Sequence, residues 1–279
     1  MRVEGNTKVF VTGATGYLGH EVQALLRERG IAWESWGRDG FDLEQPFALD
    51  DSVRQRLERM REEEPEAVPL LLHMGAESRW GSCEDAPERA WRINAEASGV
   101  LAAAVTHAGG RVVLASTDLV FEGEHAPYDV TREAKPLSSY GRSKRAAEWY
   151  VLGGDEHLVV RLPLLYGPSF DGRRGATDMI LRAAEEGRRV QLFVDEWRTP
   201  MTVRAAAEDL LNAALDPDLV GILHPEVGPR LSRWELGLQI AAEYELDPEP
   251  LLEMASRHGM PGPARPEDCS LLPGHAPRA

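Results

Sequence analysis

The chain has 279 residues, 43% of them hydrophobic, enough for a sizeable core and one large domain or two interleaved lobes, which excludes a fibrous or disordered protein. A formal net charge of −15 would repel phosphates over most of the molecule, so an unassisted nucleic-acid or anionic-membrane surface is ruled against, while a local basic pocket for a small anion is not. Two cysteines, Cys83 and Cys269, make neither a disulfide framework nor a zinc ligand set, so no metal is expected and a reducing compartment fits.

The start, "MRVEGNTKVFVTG", runs into a strand without the apolar core of a signal peptide, and no apolar run approaches the ~20 residues of a membrane span. A soluble, cytoplasmic protein is the expectation.

"KVFVTG" is a short strand rich in β-branched residues. "HEVQALLRERG" follows with helical spacing at Val22, Leu25 and Leu26 and a stop at Gly30. A strand in "IAWESWG", a helix in "ALDDSVRQRLERMREEE", a strand in "AVPLLLHMG", a helix from Pro87 to about residue 110 and a strand in "RVVLAS" continue the alternation. Strands separated by helices predict βαβ units on a parallel sheet. A loop over about residues 121–136, a helix from near Tyr140 and a strand in "HLVVRLPLLYG" complete this part.

After Gly167 the pattern changes. "PSFDGRRGATD" reads as a loop, helices and short strands follow, and the end is rich in proline and glycine. The expected organisation is a Rossmann-type doubly wound α/β domain over 1–167, rejoined by a segment at about 189–223, with 168–279 mainly a smaller substrate-binding lobe.

"TGATGYLG" sets Gly13, Gly16 and Gly19 three apart between a strand and a helix. Glycines there allow a tight turn, a close approach of backbone to a pyrophosphate, and tight packing of helix on strand, while the helix N-terminus offers amide donors. The bland reading is a structural βα turn, and the context of strand, spacing and helix argues against it. Where the second strand should end, "SWGRDGFDL" offers Arg38 and then Asp39. An arginine there suits a 2′-phosphate, which favours NADP(H) over NAD(H); the alternative is a solvated surface arginine.

In "SSYGRSKRAAEWY", Tyr140 and Lys144 lie one helical turn apart on one face. A free phenol is a poor acid–base group at neutral pH, and a neighbouring ammonium stabilises its phenolate. The chain otherwise uses arginine almost throughout: its only lysines are Lys8, Lys135 and Lys144. The bland reading, a packed tyrosine beside a solvated lysine, is weakened by that scarcity. "LASTD" places Ser116, Thr117 and Asp118 at the carboxyl end of a strand, where ligands sit in open α/β sheets and a hydroxyl can bind a reacting oxygen.

Together these motifs resemble the extended short-chain dehydrogenase/reductase superfamily. "STDLVFEG", "PLSSYGRSK", "RLPLLYG", "DEWRTPMTV" and "ARPEDCSLL", in that order, are most similar to the dTDP-4-dehydrorhamnose reductase, or RmlD-like, family. The resemblance implies an NAD(P)-dependent oxidoreductase in which Thr117 hydrogen-bonds the substrate carbonyl, Tyr140 protonates it, and Lys144 tunes Tyr140 and grips the ribose. It also implies cofactor contacts from Gly13, Thr15, Gly16, Tyr17, Leu18, Gly19, Arg38, Asp42, Leu43, Met74, Gly75, Ala76, Asn94, Ser116 and Leu164, and substrate contacts from Glu77, Ser78, Glu84, Asp118 and Arg198.

The chain departs from the family at "GAESRWGSCEDAP", where Ser78, Arg79 and Trp80 border the substrate, so the sugar stays open. His73 reads as a buried strand-end residue. The partner implied is a sugar nucleotide, with a homodimer as a compatible assembly. Two alternatives stand beside the reductase: a sugar-nucleotide epimerase or dehydratase with recycled NAD, and a non-catalytic regulatory subunit, the role of one relative of the family beside methionine adenosyltransferase. A hydrolase lacks its G-x-S-x-G elbow.

Overall fold

The computed structural model describes residues 6–259 and 264–277. In chain order its first half runs β1 (Thr7–Thr12), α1 (Tyr17–Glu28), β2 (Trp33–Trp36), α2 (Pro46–Glu63), β3 (Val68–His73), α3 (Trp80–Asp85), α4 (Pro87–Trp91), α5 (Ala97–His107), β4 (Arg111–Thr117), α6 (Ser139–Val151) and β5 (Leu158–Leu162). The second half runs β6 (Leu165–Tyr166), α7 (Gly175–Glu185), β7 (Val190–Phe193), β8 (Trp197–Arg198), β9 (Met201–Thr202), α8 (Val203–Ala214), β10 (Gly221–His224), β11 (Leu231–Ser232), α9 (Arg233–Glu243), α10 (Pro248–Leu251), β12 (Leu252–Ala255) and β13 (Gly274–Ala276).

Seven strands form the central sheet in the order β13-β10-β5-β4-β3-β1-β2. All pairs are parallel except β10 with β13. Successive strand residues face opposite ways, and each face has its own core. Val9, Val11, Leu70, Leu72 and Val113 pack on Val22 and Leu26 of α1 and Leu210 and Leu211 of α8. Phe10, Leu71, Val112 and Leu114 pack on Val53 and Leu57 of α2, Leu101 of α5 and Val151 of α6. This is a doubly wound, Rossmann-like α/β fold. The chain leaves β1 in one direction towards β2 and returns to its other side as β3, so the crevice between β1 and β3 is the topological switch point, where such sheets bind ligands.

Three local readings change. The expected helix from Pro87 divides into α4, a π-helical turn over Arg92–Glu96, and α5. The expected strand over 157–167 breaks at Pro163, which has no N–H to give a ladder: β5 stays in the central sheet and β6 pairs with β9 instead. The proline- and glycine-rich tail contributes β13 to the sheet edge, through Ile222, Leu223 and His224 of β10. Within 189–223, β7 pairs with β12 outside the central sheet, whereas α8 packs on the sheet and β10 joins it. A smaller core of α7, β7, α9 and β12, including Ile180, Leu192, Leu236 and Leu252, stands beside the carboxyl ends of the strands. Among the described residues, no helix is long and apolar enough to cross a membrane.

Candidate functional site

At the switch point, Gly13 ends β1 with φ +69°. A Cβ there would lie 2.5 Å from the Gly75 nitrogen and 2.7 Å from the Met74 carbonyl carbon, so only glycine lets the ends of β1 and β3 meet backbone to backbone. A Cβ on Gly19 would lie 2.1 Å from the Gly13 oxygen, so α1 sits directly on the turn. Gly16 caps α1 without any side-chain acceptor, and the first turn holds no acidic residue. The amides at the head of α1 are therefore left to an anion, with the helix dipole behind them. Thr15 is exposed and Leu18 half-buried beside them. Tyr17 turns its side chain away: its hydroxyl donates to the Gly167 carbonyl at 2.6 Å, and a Cβ on Gly175 would touch its ring at 3.1 Å.

Leu43 covers Gly75, whose Cβ would meet Leu43 Cδ1 at 2.7 Å. Asp42 accepts from the Glu44 amide at 3.0 Å. Arg38 is exposed two residues beyond β2, and among the described residues its guanidinium has no hydrogen bond or ion pair. Met74 and Ala76 are half-buried at the end of β3, and Ser78 is exposed.

Thr117 ends β4; its hydroxyl donates to Asp118 Oδ1 at 3.2 Å and accepts from the Leu119 amide at 3.2 Å, and it acts on the Tyr140 phenol at the head of α6. Gly141 makes that contact feasible: a Cβ there would lie 2.3 Å from the Leu119 oxygen, so the head of α6 packs directly on the turn after Thr117. Ser138 caps α6 by accepting from the Gly141 amide at 3.0 Å. Glu84, 55 residues upstream of Ser139, adds a second clamp, accepting from the Ser139 amide at 2.6 Å and its hydroxyl at 2.9 Å. Both Glu84 oxygens, expected at the substrate, thus hold the helix start that carries Tyr140.

Burial first, and then the Asp118 carboxylate, push the Tyr140 phenol well above its usual pKa, while Thr117 and Arg198 pull it down. At neutral pH the phenol carries its proton. The cation it feels most is Arg198, not Lys144. Lys144 is 2% exposed, and burial lowers its pKa to about 8 against the pull of Glu148.

Asp118 and Arg198, both expected at the substrate, bind each other in a buried bidentate pair at 2.7 and 2.7 Å. Asn94, expected at the cofactor, sits in the π-turn. Its amide accepts from Glu77 N at 2.8 Å and donates to Glu77 O and Ser143 Oγ, both at 2.9 Å. An amide side chain matches a peptide group, and here it ties the end of β3 to α6. Ser116 likewise donates to Glu148 at 2.6 Å. Glu77 is held by Arg89 at 3.1 Å and Arg79 at 3.2 Å. Leu164 packs into the core of the smaller lobe.

His73 is fully buried, with Nδ1 2.6 Å from Thr12 Oγ1 and Nε2 2.9 Å from Ser98 Oγ. Ser98 donates onward to the Asn94 carbonyl, so Nε2 carries the ring proton and Nδ1 accepts from Thr12. Burial pushes its pKa down to about 3, which keeps it neutral.

Composition did not reveal a cluster of arginines beside Asp118. Arg198, Arg233 and Arg265 act on one another there, with Glu196 and Asp118 among them. Three cations against two carboxylates leave an excess of one positive charge in a chain of net charge −15. Arg265 pairs with Glu196 at 3.2 Å and lies over the rings of Trp80 and Phe193, each at 5.1 Å. Arg233, in "LSRWE", carries no sequence signal apart from its charge.

The family described as RmlD substrate binding domain matches residues 7–276. Methionine adenosyltransferase 2 subunit beta of Danio rerio is 28% identical over 281 residues, covering 95% of this chain and 82% of that one. A probable low-salt glycan biosynthesis reductase of Haloferax volcanii is 31% identical over 225 residues, covering 77% of this chain and 73% of that one. A dTDP-4-dehydrorhamnose reductase of Bacillus anthracis, solved in complex with NADP, superposes with a TM-score of 0.84 at 23% identity over 96% of this chain and 90% of that one.

Proposed function

The chain belongs to the RmlD substrate binding domain family, and from that premise we propose that it is an NADP(H)-dependent reductase of a nucleotide-linked 4-keto sugar. The observation that carries the reading is the glycine cradle at the head of α1, whose cap supplies no side-chain acceptor, together with Thr117 at the end of β4 acting on the buried Tyr140 phenol.

The head of α1 holds the cofactor pyrophosphate, Leu43 and Asp42 border the adenosine, and Arg38 meets the 2′-phosphate. When bound, the nicotinamide supplies the hydride. Thr117 hydrogen-bonds the substrate ketone oxygen, and Tyr140 gives that oxygen its proton. The neutral phenol favoured by burial and Asp118 is the form this step needs. Lys144 holds the ribose, and Arg198 supplies the positive charge that Tyr140 feels as the phenolate forms. Arg198, Arg233 and Arg265 supply positive charge for the substrate's phosphates.

The test follows nicotinamide absorbance with NADPH and NADH against a panel of nucleotide-linked keto sugars. Tyr140→Phe should keep cofactor binding and lower turnover by about 10²-fold or more; unchanged turnover would sink the reading. The likeness to an adenosyltransferase subunit favours a second reading, a cofactor-binding regulatory subunit. NADPH binding without turnover on the whole panel, together with co-purification of a partner enzyme, would establish that one.

A further inference from the structure

Lys144 is 2% exposed on α6. On its own helix are Tyr140, one turn before it, and Glu148, one turn after it. From β3 comes His73, whose neutral ring is fixed by Thr12 and Ser98. Ser116 of β4 and Arg161 of β5 reach Glu148.

The charged groups of this set converge on Glu148, which is fully buried. Its Oε1 accepts from Ser116 Oγ at 2.6 Å and Arg161 Nε at 3.0 Å, and its Oε2 accepts from Arg161 Nη2 at 2.9 Å. Arg145 Nη1 stands 3.9 Å from Oε2 at the helix surface. Arg161 is itself 2% exposed and lies over the Phe121 ring at 5.1 Å.

A bare ion pair of this kind is weak evidence for stability, because desolvating two charges offsets most of their attraction. A carboxylate fixed from three sides on the helical face of a buried lysine has a second use. Such a lysine without a counter-charge would lose its proton in the neutral range.

We propose that Glu148 is a positioning residue for the reaction: clamped by Ser116 and Arg161 one turn below Lys144, it keeps that lysine an ammonium ion on the face it shares with Tyr140. This rests on the reductase reading only for its effect on rate. The charge state itself is a property of the free protein. The direction of the Lys144 shift agrees: burial lowers it and Glu148 holds it up. Arg161, on β5, holds both oxygens of Glu148 and so fixes the carboxylate in place.

The chain has three lysines, so NMR of lysine side chains labelled at Cε gives three signals, and Lys8 and Lys135 are assigned by their own substitutions. In the free protein the Lys144 signal should titrate near pH 8. Glu148→Gln strands Arg161, so it is paired with Glu148→Gln/Arg161→Met, which leaves no stranded guanidinium beside Lys144; Glu148→Asp keeps the charge. The midpoint should fall by about one unit or more in the first two and stay near the parent's in the third. A purely structural role would change unfolding but not the midpoint. An unchanged midpoint in the double variant overturns the proposal, as does an equal fall in Glu148→Asp. With NADPH and a keto sugar, the alkaline limb of kcat/KM should move to lower pH by the same amount. If the parent shows no turnover on any keto sugar, the reductase reading falls while the titration still decides the role of Glu148.

Discussion

Gly141→Ala sets two effects of known sign against each other. Alanine is the better helix former by about 1 kcal/mol, and position 141 lies inside α6, so propensity alone predicts a more stable protein. The added Cβ would lie 2.3 Å from the Leu119 oxygen and 2.8 Å from Pro136 Cβ. Ordinary contact begins near 3.4 Å, so α6 and the turn after Thr117 must separate by about 1 Å (3.4 − 2.3 Å). Overpacking of this kind costs about 1–3 kcal/mol, and the net change in stability should be a loss within about 2 kcal/mol. The same 1 Å falls on the placement of Tyr140 against Thr117, and a displacement of that size costs a reaction about 10²-fold. Urea unfolding and steady-state turnover of the keto sugar together check both effects. The expected pattern is a small shift of the urea midpoint, an unaltered NADPH affinity and a loss of kcat. Gly81→Ala in α3, where a Cβ meets nothing within 4 Å, is the control and should leave kcat alone. Full kcat in Gly141→Ala would refute the claim that this glycine sets the Thr117–Tyr140 distance.

Glu84→Gln removes the charge from the clamp on Ser139, and it should lower stability by about 0.5–2 kcal/mol in urea and depress kcat more than KM. Arg38→Ser should raise the KM for NADPH and spare NADH; equal effects on the two cofactors would remove Arg38 from the 2′-phosphate. Acid lability should come from two buried histidines, because His73 at about 3 and His224 at about 4 must gain protons that the unfolded chain binds near ~6.5. Their contribution is complete above the unfolded value and is lost as pH falls from there through 4 and 3. Urea midpoints measured between pH 7 and 4 should therefore decline, and His224→Gln should flatten that decline.

Much of the architecture was legible along the chain because the signals for it are local. Apolar spacing at Val22, Leu25 and Leu26 and the β-branched run before Gly13 act over a few residues, and alternating strands and helices admit few sheet orders. The glycine spacing in "TGATGYLG" and the four-residue step from Tyr140 to Lys144 are likewise geometry that any helix or βα turn imposes. Short-range signals did not reveal the break at Pro163 as a change of sheet, or β13 in a tail whose composition suggests a loop.

The tertiary structure decided which polar groups meet. Glu84 finds Ser139 55 residues away, and Asp118 finds Arg198 80 residues away, so two residues that the family resemblance set at the substrate have their carboxylates held in the site's frame. Asn94 and Ser116 are spent in the same way on Glu77 and Glu148. A buried polar side chain must be hydrogen-bonded, and its partner is whichever group the fold brings within about 3 Å, a fact that no window of sequence contains. Burial acts similarly on charge: the sequence by itself determined that Tyr140 and Lys144 share a helical face, and only packing made one a retained phenol and the other a lysine dependent on Glu148.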